Sequence, residues 1–284
     1  MSGNAQRKPG ADDQRMLRDA LPGEGFVSEM FCSVQGEGPF VGERQIFVRT
    51  AGCSVACSWC DTLYSKVQTT RFVIHGEDRR AIPNPMRSQD VLDEVLSFAR
   101  QNPTVKTVSI TGGEPLEQPE FVSFLSRGLC EFGLRVYLET AGIHPEPLKM
   151  LLAHIDVIAM DIKLPSSFGR AVWEEHQAFL SVLAGTPFVP GTGASTPQTV
   201  FVKIVVDNDS TQGEIETAAR LIADLDPGIL LVLQPESGAL MSHRTPREAT
   251  VQLLQLLEDV HLVARRFLDD VRVVPQCHKI LGLR

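Results

Sequence analysis

The sequence predicts an α/β protein in which about six parallel strands form a sheet with helices on its outer face. Two observations support this fold class. Short apolar segments rich in β-branched residues alternate six times with amphipathic helical segments. Polar and Gly-rich segments recur directly after the strands, at the edge where active sites form in α/β barrels. A doubly wound open sheet fits the same pattern, because the sequence does not show whether the sheet closes.

Composition places the chain among globular proteins and argues against several other classes. It has 284 residues, of which 43% are hydrophobic, enough for a sizeable core. The formal net charge of −8 disfavours a general nucleic-acid binder. Six cysteines, three of them closely spaced, are typical of a reducing compartment, and no segment resembles a membrane span or a signal peptide. We therefore expect a cytoplasmic protein that binds neither nucleic acid nor membranes.

The chain divides into a short extension and one domain. Residues 1–24 are polar and lack periodicity, which predicts a flexible N-terminal extension, and residues 25–284 are expected to form a single domain. Order is expected to begin near Phe26. Strands are predicted at 45–50, 107–110, 134–138, 156–162, 200–206, 229–233 and 271–274. Helices are predicted at 88–100, 119–130, 170–183, 211–225 and 245–267, and a surface loop at 184–198.

Capping signals mark three of these helix starts. Ser88 is expected to be an N-cap, and Thr211 with Glu214 forms a predicted capping box. A second predicted box joins Thr245 to Glu248, with a proline at the first helical position.

The most informative stretch contains Cys53, Cys57 and Cys60 in a CxxxCxxC arrangement. Thiolates are soft ligands for iron–sulfur clusters or zinc, and three of them leave one metal corner open. The spacing alone also allows a zinc site completed by a distant His or Cys, or a set of buried free cysteines. The other three cysteines are isolated and are expected to be small buried residues.

These cysteines, with Trp59 before the last of them, resemble the signature of the radical S-adenosylmethionine (SAM) superfamily. The GGEP sequence at 112–115, directly after a predicted strand, resembles the loop that binds the SAM amino group in that superfamily. Segments 33–39, 47–50, 60–62, 111–115, 138–140 and 274–279 resemble the 7-carboxy-7-deazaguanine synthase family. The resemblance implies a partial, open TIM-like barrel with a four-iron four-sulfur cluster, SAM and Mg²⁺ as cofactors.

What the resemblance implies about function is specific. The family acts on 6-carboxy-5,6,7,8-tetrahydropterin, with a flavodoxin- or ferredoxin-like electron donor, and a homodimer is expected. The cluster would be held by Cys53, Cys57 and Cys60, and Mg²⁺ would be held at Thr62. The implied cofactor-binding residues are Trp59, Asp61, Gly113, Glu114, Glu139, Lys163 and Gln234. The implied substrate-binding residues are Val34, Gln35, Gly36, Glu37, Arg49, Thr111, Gln276 and His278.

Local chemistry agrees with several of these implied roles. Arg49 can pair with a carboxylate through two parallel hydrogen bonds, although an internal ion pair is its alternative role. Glu37 can accept hydrogen bonds from the amino edge of a pterin, and Thr62 is alternatively a turn cap. Residues 275–279 follow the last predicted strand, so we expect them at the same edge as the cysteines, with a solvated tail as the alternative.

One departure keeps other functions open. Many family members have Ser-Pro-Lys where this chain has Asp161-Ile162-Lys163, which looks more like the Asp-x-Lys of glycyl-radical activating enzymes. The alternatives are therefore an activating enzyme with a protein partner and a non-catalytic iron–sulfur or zinc module. The module predicts a fourth protein ligand, for which Cys277 or His278 is available.

Overall fold

The structure is a computed structural model that describes residues 20–184, 199–241 and 246–284. Most of the predicted N-terminal extension and of the predicted loop at 184–198 lies outside these residues. Across the described ranges, the helices are all too short or too polar to span a membrane.

The described strands form one large sheet and one small one. The strands are β1 Glu24–Gly25, β2 Val27–Val34, β3 Arg44–Thr50, β4 Arg71–His75, β5 Arg79–Pro83, β6 Met86–Arg87, β7 Thr107–Gly112, β8 Arg135–Thr140, β9 Val157–Ile162, β10 Thr199–Val206, β11 Leu230–Pro235 and β12 Val271–Val273. Ten of them form a sheet in the order β12-β11-β10-β9-β8-β7-β3-β2-β4-β5, while β1 pairs with β6. The seven strands from β12 to β3 are mutually parallel. The edge strands β12 and β5 do not meet, so the predicted open, partial barrel is confirmed.

Helices follow most of the parallel strands, as the alternation predicted. They are α1 Ser88–Gln101, α2 Pro119–Glu131, α3 Pro145–Leu151, α4 Pro165–Phe168, α5 Trp173–Ala184, α6 Gln212–Leu225, α7 Ser237–Met241, α8 Arg247–Ala264 and α9 Cys277–Ile280. The α1 helix shows why they pack as they do, because Val91, Leu92, Val95 and Phe98 recur at helical spacing and are all buried.

The capping predictions have mixed outcomes. Thr211 and Glu214 exchange both bonds of a capping box, as predicted. Ser88 is not an N-cap: Arg87 occupies that position and makes no side-chain cap. The Ser88 N–H instead donates to the Gly23 carbonyl at 2.9 Å, so the neighbouring chain already satisfies this group. Thr245 lies outside the described residues, and Pro246 precedes α8 as its N-cap residue.

The parallel strands alternate between a core face and a cleft face. Apolar residues at every second position point toward the helices and join the main core cluster. On β10, for example, Val202 and Ile204 are buried in that core, whereas Phe201, Lys203 and Val205 line the cleft on the opposite face. The cleft face contains only a small apolar cluster, so most of the burial that stabilises the sheet lies on the helical face.

The sequence interpretation missed the β4–β5 hairpin and helix α3. Strand β4 does alternate, with Phe72 and Ile74 buried, but β5 is largely exposed and has two arginines. A strand without a buried face gives no period-two hydrophobic signal, which explains the omission. The hairpin extends the sheet beyond β2 through parallel pairing of β4 with β2.

Candidate active site

A deep cleft opens at the carboxyl ends of the parallel strands. It encloses about 1400 Å³ when the open, solvent-filled mouth is included. Every residue to which the family resemblance assigns a site role lines this cleft. These residues are Val34, Gln35, Gly36, Glu37, Arg49, Cys53, Cys57, Trp59, Cys60, Asp61, Thr62, Thr111, Gly113, Glu114, Glu139, Lys163, Gln234, Gln276 and His278.

The cysteine loop leaves β3 and is fixed by the loop that follows β7. The Glu114 N–H donates to the Gly52 carbonyl at 2.9 Å, and the Gly113 N–H donates to Thr50 at 3.0 Å. A Cβ atom at Gly113 would lie 1.9 Å from the Gly52 carbonyl oxygen, so no other residue fits there without movement of the backbone. The GGEP segment therefore packs directly against the backbone that presents the cysteines.

The three cysteines suit a bound iron–sulfur cluster better than a single metal ion. All three are partly buried free thiols facing the cleft, and burial raises the pKa of Cys57 and raises that of Cys53 to about 11. The thiolates of Cys53 and Cys57 therefore need a bound cation. In the described part of the chain, no three His, Cys, Asp or Glu side chains are arranged to hold one metal ion. A cluster does not require such convergence, since each thiolate binds a different iron atom.

Unpaired polar atoms mark the cofactor side of the cleft. Trp59 Nε1, Asp161 Oδ1 and Gln234 Oε1 are buried and have no hydrogen-bond partner among the residues that the structure describes. Buried polar groups are costly when unpaired, so this donor and these two acceptors suit a polar ligand such as SAM. Lys163 Nζ lies 4.6 Å from the centroid of the Trp59 ring and 2.8 Å from Asp161 Oδ2.

Glu114 turns inward rather than offering a free carboxylate. One oxygen accepts from Thr140 Oγ1 at 2.7 Å and from the Leu116 N–H at 3.1 Å, and the other accepts from the Ala141 N–H at 2.7 Å. Burial raises its pKa despite these donors. The side chain thus braces the loops after β7 and β8.

His176, on α5, holds the cofactor-side loops together and was not singled out from the sequence. Its Nε2 accepts from the Lys163 N–H at 3.0 Å, which leaves Nδ1 protonated to donate to the Gly142 carbonyl at 3.0 Å. Burial lowers its pKa to about 4. The neutral ring therefore joins the loops that follow β8 and β9. A lone histidine in a helix gives no local signal of this role.

Arg49, on the opposite side, is only partly engaged by the protein. Its Nε donates to Glu29 Oε1 at 2.9 Å, and its guanidinium lies 5.9 Å from the centroid of Phe31. Among the described residues, its two terminal nitrogens have no hydrogen-bond acceptor. Glu29 also accepts from the Tyr64 hydroxyl at 2.8 Å and lies beside Arg284. The ion-pair alternative is therefore correct for Nε, and the terminal nitrogens remain available to a ligand.

Glu139 lies among the residues assigned to the substrate rather than among those assigned to the cofactor. It accepts from Gln35 Nε2 at 3.1 Å and from Thr111 Oγ1 at 2.7 Å. Gln35 in turn accepts from the Glu37 N–H at 3.0 Å. A connected set of hydrogen bonds therefore orders this wall of the cleft.

The C-terminal segment lies at the same edge as the cysteine loop, as predicted from its position after the last strand, and lines one side of the cleft. Gln276 Nε2 donates to Glu37 Oε1 at 2.6 Å and to Asp61 Oδ2 at 3.2 Å. Lys279 pairs with Asp61 at 2.5 Å. A Cβ atom at Gly36 would lie 2.1 Å from His278 Nδ1, so the glycine allows the segment to approach. The segment is thus attached to the cysteine loop and to the residues after β2.

Comparisons with known proteins agree with this geometry. Residues 47–179 match the Radical SAM superfamily. The chain is 35% identical over 261 residues to the 7-carboxy-7-deazaguanine synthase of Geobacter sulfurreducens, covering 90% of this chain and 96% of that protein. It is 33% identical to the enzyme of that name from Methanopyrus kandleri, covering 90% and 92%. The crystal structure of QueE from Escherichia coli has a similar fold, with a TM-score of 0.53 and 24% identity over 90% of this chain and 95% of that one. The chain therefore belongs to the 7-carboxy-7-deazaguanine synthase family of the radical SAM superfamily.

Proposed function

We propose that this enzyme converts 6-carboxy-5,6,7,8-tetrahydropterin into 7-carboxy-7-deazaguanine by a radical ring contraction. Family membership implies a four-iron four-sulfur cluster and SAM. The observation that carries the proposal is that one cleft has the cysteine loop on one side and a partly engaged arginine on the other. The overall change is redox-neutral, because loss of one ammonia molecule accounts for the difference between substrate and product.

The cofactor side is assigned from the residues that need a ligand. Cys53, Cys57 and Cys60 would hold the cluster, and the unpaired atoms of Trp59 and Gln234 would contact SAM. When bound there, the cluster and SAM would supply the radical chemistry that removes a hydrogen atom from the substrate. Glu114 positions the loops, and His176 fixes the backbone of Lys163.

The substrate side is assigned from charge and hydrogen-bond direction. The free nitrogens of Arg49 would bind the substrate carboxylate, and Glu37 would accept from the amino edge of the pterin. Gln35 and Thr111 would contact the ring, held in place by Glu139. The C-terminal segment, with Gln276 and His278, would cover the substrate and keep water away from the reacting carbon.

Three further parts of the proposal concern ions and partners. Thr62 lines the cleft beside Cys60, with 4.0 Å between its hydroxyl and the sulfur, and would hold Mg²⁺ together with the substrate carboxylate. A flavodoxin- or ferredoxin-like protein would supply the electron, and the enzyme would act as a homodimer. Removal of Mg²⁺ with a chelator should lower product formation, and readdition should restore it.

The activating-enzyme alternative is not favoured, because the relatives that match about 90% of this chain carry the name 7-carboxy-7-deazaguanine synthase. Asp161 and Lys163, which suggested it, pair with each other inside the cleft, and Asp161 also lies 3.5 Å from Lys203. The decisive experiment is anaerobic reconstitution with iron and sulfide, followed by incubation with reductant, SAM and the carboxypterin. Deazapurine formation without a protein substrate is expected. SAM cleavage with no pterin consumption would contradict the proposal.

A further inference from the structure

Lys203 is a charged residue in the middle of an apolar strand. Strand β10 reads Thr-Val-Phe-Val-Lys-Ile-Val-Val, and the lysine lies on its cleft face with only 14% of its side chain exposed. Lysine is almost never buried unless it is paired. Burial disfavours its charged form, but Glu37 and Asp161 outweigh this effect and raise its pKa. The site therefore contains a permanent positive charge that the proposed function has not used.

Lys203 connects the two sides of the cleft. Its Nζ pairs with Glu37 Oε2, on the substrate side, and lies 3.5 Å from Asp161 Oδ2, on the cofactor side. The sheet register explains the second contact, because Lys203 is the direct partner of Asp161 between parallel strands β10 and β9. Asp161 also has Lys163 at 2.8 Å, whereas Glu37 has no second lysine or arginine in contact within the described residues.

Glu37 depends on Lys203 for its charge. Burial alone would raise the pKa of Glu37, yet Lys203 and a hydrogen bond from Gln276 hold it at about 2. The other titratable groups that face it are His278, Asp61 and Tyr137. Burial lowers the pKa of His278, so that ring is neutral near pH 7 and does not replace the ammonium. Each carboxylate oxygen has two lone pairs, so Glu37 can accept from a ligand while it keeps its protein partners.

We propose that Lys203 is a positioning residue that fixes ionised Glu37 as the acceptor for the amino edge of the substrate. This inference rests on the proposed function for the identity of the ligand. Without Lys203, Glu37 becomes a protonated or displaced carboxyl group, which presents a donor or no group to the ligand's N–H atoms. The Asp161–Lys163 pair persists, so the cofactor side is left intact. The residue therefore sets substrate affinity and selectivity rather than radical formation.

The test is a double-mutant cycle on the reconstituted holoprotein with SAM and without reductant, so that no turnover occurs. Dissociation constants for the carboxypterin are measured anaerobically for wild type, Lys203→Met, Glu37→Gln and the double variant. Lys203→Met should weaken binding about tenfold or more, the effect of losing one charge-assisted contact. In the Glu37→Gln background the same change should weaken binding less than about threefold, because the group it positions is gone.

Two measurements separate this role from a structural one. In Lys203→Met, the cluster absorbance and the SAM dissociation constant should stay within about twofold of wild type. The surface control is Lys149→Met, which breaks an exposed pair with Glu146, and it should behave in the same way. Wild type should also bind the 2-amino pterin more tightly than its 2-oxo analogue, and Lys203→Met should lose that preference.

The outcomes are distinct. Equal effects of Lys203→Met in both backgrounds, or an unchanged preference for the amino compound, would overturn the role of Lys203. Absence of carboxypterin binding by wild type would reject the proposed function and this inference with it. If Lys203→Met does not fold, Lys203→Arg serves as the second variant. Lys203→Arg keeps the charge and should keep the preference for the amino compound. Loss of that preference in a folded Lys203→Arg variant would overturn the inference.

Discussion

His176 should make the stability of this fold depend on pH in a defined window. Its pKa is lowered by burial to about 4, against about 6.5 for the unfolded chain. Protons therefore bind the unfolded state more readily, so stability is complete above pH 6.5 and is lost as the pH falls toward 4. Between about pH 7.5 and about pH 5.5, the free energy of unfolding should fall by about 1.4 kcal/mol from this residue alone, one pKa unit of the shift.

The variant His176→Gln isolates that contribution. A glutamine amide can accept from the Lys163 N–H and donate to the Gly142 carbonyl, but it does not titrate. Urea unfolding of the reconstituted protein, followed by circular dichroism under anaerobic conditions, gives the free energy at both pH values. Other titratable groups contribute equally to the pH dependence of wild type and of His176→Gln. The difference in free energy of unfolding between the two proteins therefore measures the contribution of His176.

We expect wild type to lose about 1.4 kcal/mol more than His176→Gln over this interval. Gln177→Ala, an exposed neighbour on α5, is the matched control and should follow wild type. Parallel loss of stability in wild type and His176→Gln would refute the assignment of a buried neutral imidazole.

Three further predictions concern the site itself. Each alanine variant of Cys53, Cys57 or Cys60 should lose the brown chromophore and all activity, while Cys130→Ala should keep both; a full cluster in Cys60→Ala would contradict the ligand set. Arg49→Lys should weaken carboxypterin binding by about 1.5–3 kcal/mol, since the lysine keeps the charge but not two parallel donors, while uncoupled SAM cleavage survives; wild-type affinity would rule the role out. Truncation after Val274 should keep the cluster and SAM binding but abolish product formation, and a truncated enzyme with the full rate would show that the segment is dispensable.

The parallel strands were predictable because each is a short apolar segment that a helix separates from the next. Strands buried on the helical face are rich in β-branched residues and are separated by helices of ordinary length, so their positions were found to within a few residues. The hairpin of β4 and β5 was not found, since its outer strand is exposed and charged. The antiparallel placement of β2 beside β3 was also not predictable from the alternation of strands and helices, because it depends on pairing across the sheet.

The position of the site was predictable from the order of strands and helices, but the contacts within the site were not. Residues that follow parallel strands meet at one edge, which is why the predicted site residues share one cleft. The directions of the side chains were not predictable, because a sequence does not specify which way a carboxylate points. Glu114 turns into the protein, and Glu139 faces the substrate side. His176 and Lys203 were missed because each acts through a partner that is distant along the chain.

The role of Lys203 nevertheless has a signal in the sequence. A charge in the middle of an otherwise apolar strand must be paired when that strand is buried. Its period-two neighbours Phe201 and Val205 face the cleft, so the lysine must face it too. Replacing a buried ion pair by apolar residues is often neutral or stabilising, so the Glu37–Lys203–Asp161 arrangement is a poor means of holding the sheet together. The main core on the helical face already does that. The charges on the cleft face are therefore best explained by what they present to a ligand. The helical face of the strand contributes to stability, and its cleft face contributes to ligand binding.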